Sequence, residues 1–306
     1  MTAERTRLAV AGARATTRLA LDRQPAGDVA KGAAFKAFLI VAVGLALAML
    51  AALIVDALVD GFPRLDIGLI INRGSGNPEI AGLKPAILGT LYLMFGVIAT
   101  TVPLGVGAAI YLEEYADRTK WFNRAIEVNI QNLAAVPSIV YGILGLAFIV
   151  RGPVDLGFVV LAGSLTLALL VLPTVILAAR EAIRAVPPSI RDGSLALGAT
   201  QWQTIRRQIL PASIPGIVTG VILAVSRALG ETAPLLLVGA ATFVTFDPSL
   251  LEGGYTALPV QIFQWVTRPQ DEFRVIAAAG IIVLLVILLA MNSFAIWLRN
   301  RYEQEW

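Results

Sequence analysis

Five long apolar stretches of this chain carry no charged side chain: 37–55, 86–112, 128–150, 156–179 and 275–298. A helix rises about 1.5 Å per residue, so about 20 apolar residues cross the roughly 30 Å hydrocarbon core of a bilayer. Inside hydrocarbon a segment must satisfy its own backbone hydrogen bonds, which a single helix does unaided. The runs therefore predict an all-α, polytopic membrane protein. Composition agrees, with 57% hydrophobic and 15% charged residues, where a soluble domain carries about 25% charged.

A sixth run is interrupted. Residues 212–226 and 232–246 are each 15 residues long, and between them lie Arg227 and Glu231. Neither arm reaches the roughly 20 residues a crossing needs, so a single span here must carry at least one ionisable group. The expectation is six transmembrane helices, the fifth with an Arg–Glu pair at hydrocarbon depth. Residues four apart share a helical face, so the two side chains can pair. An unpaired charge there costs from roughly 3 to over 10 kcal/mol, so both should face the bundle interior or a wet path. A guanidinium is a planar, always-charged fork suited to the oxygens of an oxyanion. Arg227, Glu231 and the adjoining Thr232 are thus candidate substrate-path residues, against the alternative of a purely structural ion pair.

What the chain lacks removes other chemistries. It has no cysteine and no histidine, which excludes disulfides, His/Cys zinc sites and any triad with an imidazole base. No acid, base or metal-ligand cluster points to catalysis, so no cofactor is expected on this chain. No phosphate-binding loop of the G-x-x-x-x-G-K-[ST] type occurs either. If nucleotide drives the protein, its phosphates are held on another chain.

Charge asymmetry sets the expected orientation. With the N-terminus in the cytoplasm, 17 of the 24 Lys and Arg fall in inside segments and six in outside segments, with Arg227 within a span. The positive-inside bias places both termini in the cytoplasm. Residues 1–34 read as a basic, disordered tail near anionic lipid, without a nucleic-acid role. Residues 35–59 read as an uncleaved first helix, its 19-residue apolar run exceeding the 7–15 residues of a cleaved signal. The Gly-, Pro- and Asn-rich segment 60–85 reads as an extracytoplasmic loop and 299–306 as a short cytoplasmic tail. Pro103, Pro137, Pro173 and Pro234 mark possible kinks.

The inside segment 180–211 has a pattern of its own. Pro187 and Pro188 break the chain and Pro188 with Ser189 can open a new helix, on which Ile190, Ser194 and Leu197 share a face. Gly198 permits a sharp turn, after which Trp202, Ile205 and Ile209 fall at helical spacing. The pattern predicts two short helices meeting near Gly198 in a compact knob. An amphipathic hairpin resting on the membrane is the alternative.

The run DGSLALGATQWQTIRRQILP (192–211) resembles the EAA loop of ABC importer permeases. Asp192, Gly193 and Ser194 stand on the motif's triplet, Gly198 on its glycine, and Leu210 and Pro211 on its closing pair. Asp replaces Glu, and Gly and Ser replace the alanines. SRALGETAP (226–234) resembles the fifth-span signature of the phosphate branch of these importers, as do PAILGTLYL (85–93), AAIYLEEYA (108–116), VPSIVYG (136–142) and LALGATQWQTI (195–205).

The resemblance to PstA-type permease subunits implies a type I ABC importer permease fold over 86–298, with a coupling loop that docks into an ATPase subunit. It implies inward movement of inorganic phosphate by alternating access. It further implies a homologous second permease, two cytoplasmic ATPase subunits carrying ATP and Mg, and an extracytoplasmic phosphate-binding protein, in a bacterial cytoplasmic membrane. The alternatives are a permease for another oxyanion, such as sulfate or molybdate, or a lipid-modifying membrane enzyme.

Overall fold

The computed structural model describes residues 26–117, 119–240 and 243–302, and the chain divides into two compact units, Met1–Asp56 and Ala57–Trp306. The described part of the first unit lies in helix α1 (Ala26–Gly61), which begins ahead of the expected start at 35. The tail expected over 1–34 thus falls outside the described residues up to 25 and is helical beyond. The α1 side chains from Phe38 to Val55 are largely exposed, an apolar surface suited to hydrocarbon.

In the second unit a 3₁₀ turn (Phe62–Arg64) and α2 (Ile67–Ile71) interrupt what the sequence suggests is a loop. Asp66 caps α2, its carboxylate accepting from the Leu69 N–H at 2.6 Å. Then come α3 (Lys84–Ile110), α4 (Trp121–Ala134), α5 (Ser138–Leu144), α6 (Val160–Arg184), α7 (Pro188–Ala196), α8 (Gln201–Thr204), α9 (Leu210–Gly230), α10 (Ala233–Leu237), α11 (Leu258–Val266) and α12 (Asp271–Tyr302). Wide π turns extend α3 through Tyr111–Tyr115 and α5 through Gly145–Val150, and one over Ile205–Ile209 joins α8 to α9. There is no β-strand among the described residues.

Among the described residues, five helices are long and apolar enough to cross a membrane: α1, α3, α6, α8–α9 and α12. The count reaches six if α4 and α5 form one broken span, bent by 106°. The sequence expects one span over 128–150. The break lies at Pro137, which has no N–H to continue the α4 ladder and caps α5 instead. Pro103 and Pro173 remain inside α3 and α6.

Helix α6 is the hub, with α3 and α9 along it and α12 against α9. Leu93 and Val97 of α3, Leu167 and Val171 of α6 and Ala224 and Ala228 of α9 share its core. Apolar side chains gain little by leaving lipid for another helix, so close packing needs small residues. Gly216 and Gly220 of α9 meet Ala182 and Ala178 of α6, and a Cβ on Gly220 would stand 2.2 Å from that of Ala178.

The interrupted span is resolved differently from expectation. Helix α9 runs unbroken with α8 from Gln201 to Gly230 and is a full crossing by itself. The arm expected over 232–246 is not its continuation. Gly230 weakens the helix, Glu231 takes an extended conformation (φ −75°, ψ 121°), and Pro234 cannot donate back into a continuing ladder. Only the short α10 follows, packed on α5.

Candidate functional site

That correction moves the Arg–Glu pair from the middle of a helix to its end. Arg227 lies in the last turn of α9, about 25 Å along the axis from Leu210. There the exposed carbonyls favour a cation. Glu231 is the residue that leaves the helix, its N–H donating to the Ala228 carbonyl at 3.2 Å. Arg227 Nε donates to Glu231 Oε1 at a long 3.4 Å, with 43% of the Arg side chain exposed and 17% of the Glu. Among the described residues this is the one hydrogen bond of the guanidinium, so its two terminal nitrogens keep their donors. Thr232 is half-buried beside them.

The surroundings hold the pair in place. Ser226, just before Arg227, donates to Asn292 Oδ1 of α12 at 2.7 Å. On the other side stands the α4–α5 elbow, where the Tyr141 hydroxyl donates to the Leu133 carbonyl at 2.8 Å and ties the two arms. The Tyr141 ring shares a core with Ala228 and Leu229, the residues that follow Arg227. Helix α10 closes the corner, with Pro234 so near Gly142 that a Cβ there would lie 2.7 Å from its Cα.

The knob is formed by α7, α8 and the turn between them. Gly198 sits at φ +83°, a left-handed conformation that a glycine adopts without cost. Thr200 then caps α8 in a reciprocal box with Gln203. Ser194 and Thr204 hydroxyls meet at 2.9 Å and fasten the two helices. Ile205 and Ile209 are buried, anchoring the knob to the bundle, while Trp202 joins Leu195 and Leu197 as an exposed apolar tip, Leu197 at 91%. The sequence places Leu197 on the same face as Ile190 and Ser194. The turn carries it outward instead. Asp192 and Gly193 are exposed on α7, and Leu210 and Pro211 are half-buried at the start of α9.

A third group of residues escapes the sequence reading. Arg180, 4% exposed near the end of α6, donates from Nε to Glu113 at 2.8 Å and from Nη2 to Glu127 of α4 at 2.7 Å. Arg184 also donates to Glu113 at 2.8 Å. Next door, Arg191 of α7 donates to the Glu114 carboxylate, and Gln201 of α8 to the Glu114 carbonyl. Glu113 and Glu114 lie in the π turn that ends α3. Each charge reads in sequence as the flank of an apolar run. The available signal is topological: 113–125 and 180–211 are expected on the same side of the membrane, so Glu113 and Arg180 can meet. Among the described residues there is no cluster suited to a metal ion.

Comparison with known proteins agrees with this architecture. Residues 101–304 match the family model of the binding-protein-dependent transport system inner membrane component. The chain is 31% identical over 271 residues to the probable ABC transporter permease protein YqgI of Bacillus subtilis, covering 83% of this chain and 92% of that protein. It is 37% identical over 224 residues to the phosphate transport system permease protein PstA 1 of Mycobacterium tuberculosis, covering 71% and 70%. To PstA of Yersinia pestis it is 35% identical over 219 residues, covering 72% of each. Among solved structures, the inward-facing MetNI methionine ABC transporter superposes with a TM-score of 0.57 at 14% identity, over 72% of this chain and 96% of that one.

Proposed function

Because this chain belongs to the family of binding-protein-dependent transport system inner membrane components, we propose that it is the permease subunit of an ATP-driven importer of inorganic phosphate, working by alternating access. Relatives that carry the phosphate name, at 37% and 35% identity, support the choice of solute. In this reading both termini are cytoplasmic, in the inner membrane of a bacterium. The exposed Leu195, Leu197 and Trp202 of the knob dock on one of two ATPase subunits, which hold ATP and Mg. A second, homologous permease and an extracytoplasmic phosphate-binding protein complete the assembly.

The observation that carries the reading is the half-satisfied guanidinium of Arg227, held by one 3.4 Å contact and 43% exposed. It can take two oxygens of an anion on its free edge while Glu231 holds it in register. The carboxylate also sets a selection rule. A phosphate that retains a proton can donate it in a hydrogen bond to Glu231, whereas sulfate has no proton to give and meets a like charge. In the empty state Glu231 keeps Arg227 paired, which lowers the cost of an uncompensated cation. Helix α9 connects this site to the knob without a break. Knob movement when the ATPase pair closes therefore displaces the site as part of a rigid element.

The test is uptake in proteoliposomes holding the whole complex. Arg227→Ala is expected to abolish phosphate uptake while the complex still assembles. Normal uptake in that variant would refute the anion-path role. Uptake of sulfate at the rate of phosphate would refute the choice of solute.

A further inference from the structure

We propose that a chain of polar contacts links the knob to the elbow beside Arg227, with Glu127 and Tyr141 as positioning residues that make the elbow follow the knob. This rests on the transport reading above and assigns a second transmission route besides α9 itself.

The links alternate between side-chain contacts and short stretches of helix. Arg191 and Gln201, one on each helix of the knob, both hold Glu114. Its neighbour Glu113 accepts from Arg180 at 2.8 Å, and Arg180 donates at 2.7 Å to Glu127 on α4. Helix α4 ends at the 106° elbow, where Leu133 accepts from Tyr141 at 2.8 Å. Tyr141 in turn packs in the same core as Ala228 and Leu229, the residues that follow Arg227.

The middle of this chain is stiff. The side chains of Arg180 and Glu113 are 5% and 3% exposed, so water cannot readily take over their hydrogen bonds. Its ends are compliant. Helix α3 meets the knob through the π turn that carries Glu113 and Glu114, whose loose hydrogen bonding tolerates small shifts, and the elbow is a bent joint. A stiff strut between two joints is the arrangement that turns displacement at one end into rotation at the other. A buried charge cluster that served stability alone would have no need to reach both knob helices at one end and the elbow arm at the other.

The experiment uses the full complex with its ATPase subunits. The chain has no cysteine, so spin labels enter through Ser189→Cys on the knob or Asn132→Cys at the elbow, each paired with Glu252→Cys as reference. Distances are measured with and without ATP, in the absence of phosphate. In the otherwise unaltered chain both distances should change with ATP. In Glu127→Gln and in Tyr141→Phe the knob change should persist while the elbow change falls about twofold or more, and phosphate moved per ATP hydrolysed should fall roughly fivefold. Arg191→Glu should also weaken the elbow response, and adding Glu114→Arg should restore it.

An elbow that moves fully in both Glu127→Gln and Tyr141→Phe overturns the proposal, as does one that never responds to ATP. Should the unaltered complex move both labels yet transport no phosphate, the choice of solute fails. The strut is still decided by the label distances.

Discussion

Two arginines of this chain meet carboxylates, and they do so in opposite ways. Arg180 is 5% exposed in its side chain and bridges two glutamates on different elements, at 2.8 and 2.7 Å. Arg227 is 43% exposed and holds one glutamate at 3.4 Å from the same helix end. A buried charge needs close partners, and Arg180 spends its contacts on tying one helix to two others, so the first cluster is a joint between helices. The second pair keeps donors in reserve, which is what a transient anion requires. Membership in the same residue pairing thus says little about role. Burial and the number of elements bridged say much more.

The largest way to break this comparison is to remove each arginine in turn. Arg180→Ala takes from the buried Glu113 the more deeply buried of its two arginines, leaving Arg184, and should cost about 3 kcal/mol, read as a lower midpoint of thermal unfolding in detergent. Arg227→Ala should change stability by less than about 1 kcal/mol and yet stop uptake. Equal destabilisation by the two would erase the distinction.

A sharper version removes the Arg180 cluster together. Arg180→Met combined with Glu113→Gln and Glu127→Gln should recover most of the stability lost in Arg180→Ala, because no buried charge remains and the half-exposed Arg184 keeps Glu181 at 3.1 Å. Failure to recover would mean that the packing of the Arg stem, and not its charge, holds the joint.

At the open pair, Arg227→Lys keeps the charge and loses the fork. Phosphate uptake at subsaturating concentration should fall at least about tenfold, corresponding to a lost bidentate contact of roughly 1.4 kcal/mol. Full activity with Lys would show that charge alone is read.

The smallest effect belongs to a third carboxylate, Asp247, which ties the segment after α10 to Arg73 at 3.2 Å and Lys84 at 2.9 Å. The hydrogen bond from Lys84, then that from Arg73, hold its pKa below the ordinary 3.8. A lowered folded-state pKa means that the tether is fully present above pH 3.8 and weakens only as pH falls through the shifted value. Stability between pH 5 and 8 should therefore be insensitive to this group. Asp247→Asn should lower the unfolding midpoint slightly at neutral pH, and the difference from the unaltered chain should vanish in strong acid.

Much of this was legible in sequence for a simple reason. Hydrocarbon forbids unsatisfied backbone, so apolar length reports helices directly, and the runs at 86–112, 156–179 and 275–298 fall on α3, α6 and α12. The turn at Gly198 was legible because few residues but glycine accept a φ of +83°. The pairing of Arg227 with Glu231 follows from a separation of four residues. The 106° break at Pro137 was half legible. A proline announces a possible kink, but Pro103 and Pro173 carry the same signal and leave their helices whole. Whether a neighbour re-satisfies the freed carbonyl is a matter of packing.

The sequence by itself determined that this chain lives in a membrane, that its spans are helices, and that a short knob with a glycine hinge follows the fourth run. Those outcomes rest on local physics: the length of an apolar segment, the conformational freedom of one residue, the periodicity of one face. Only the tertiary structure decided that the fifth span ends at Gly230, placing Arg227 at a helix terminus, and that Glu113 and Arg180 form a buried pair that reaches the more exposed Glu127. Contacts between residues 53 and 67 positions apart depend on how whole helices pack. No local pattern along the chain encodes which charges that packing will bury and which it will leave with a free edge.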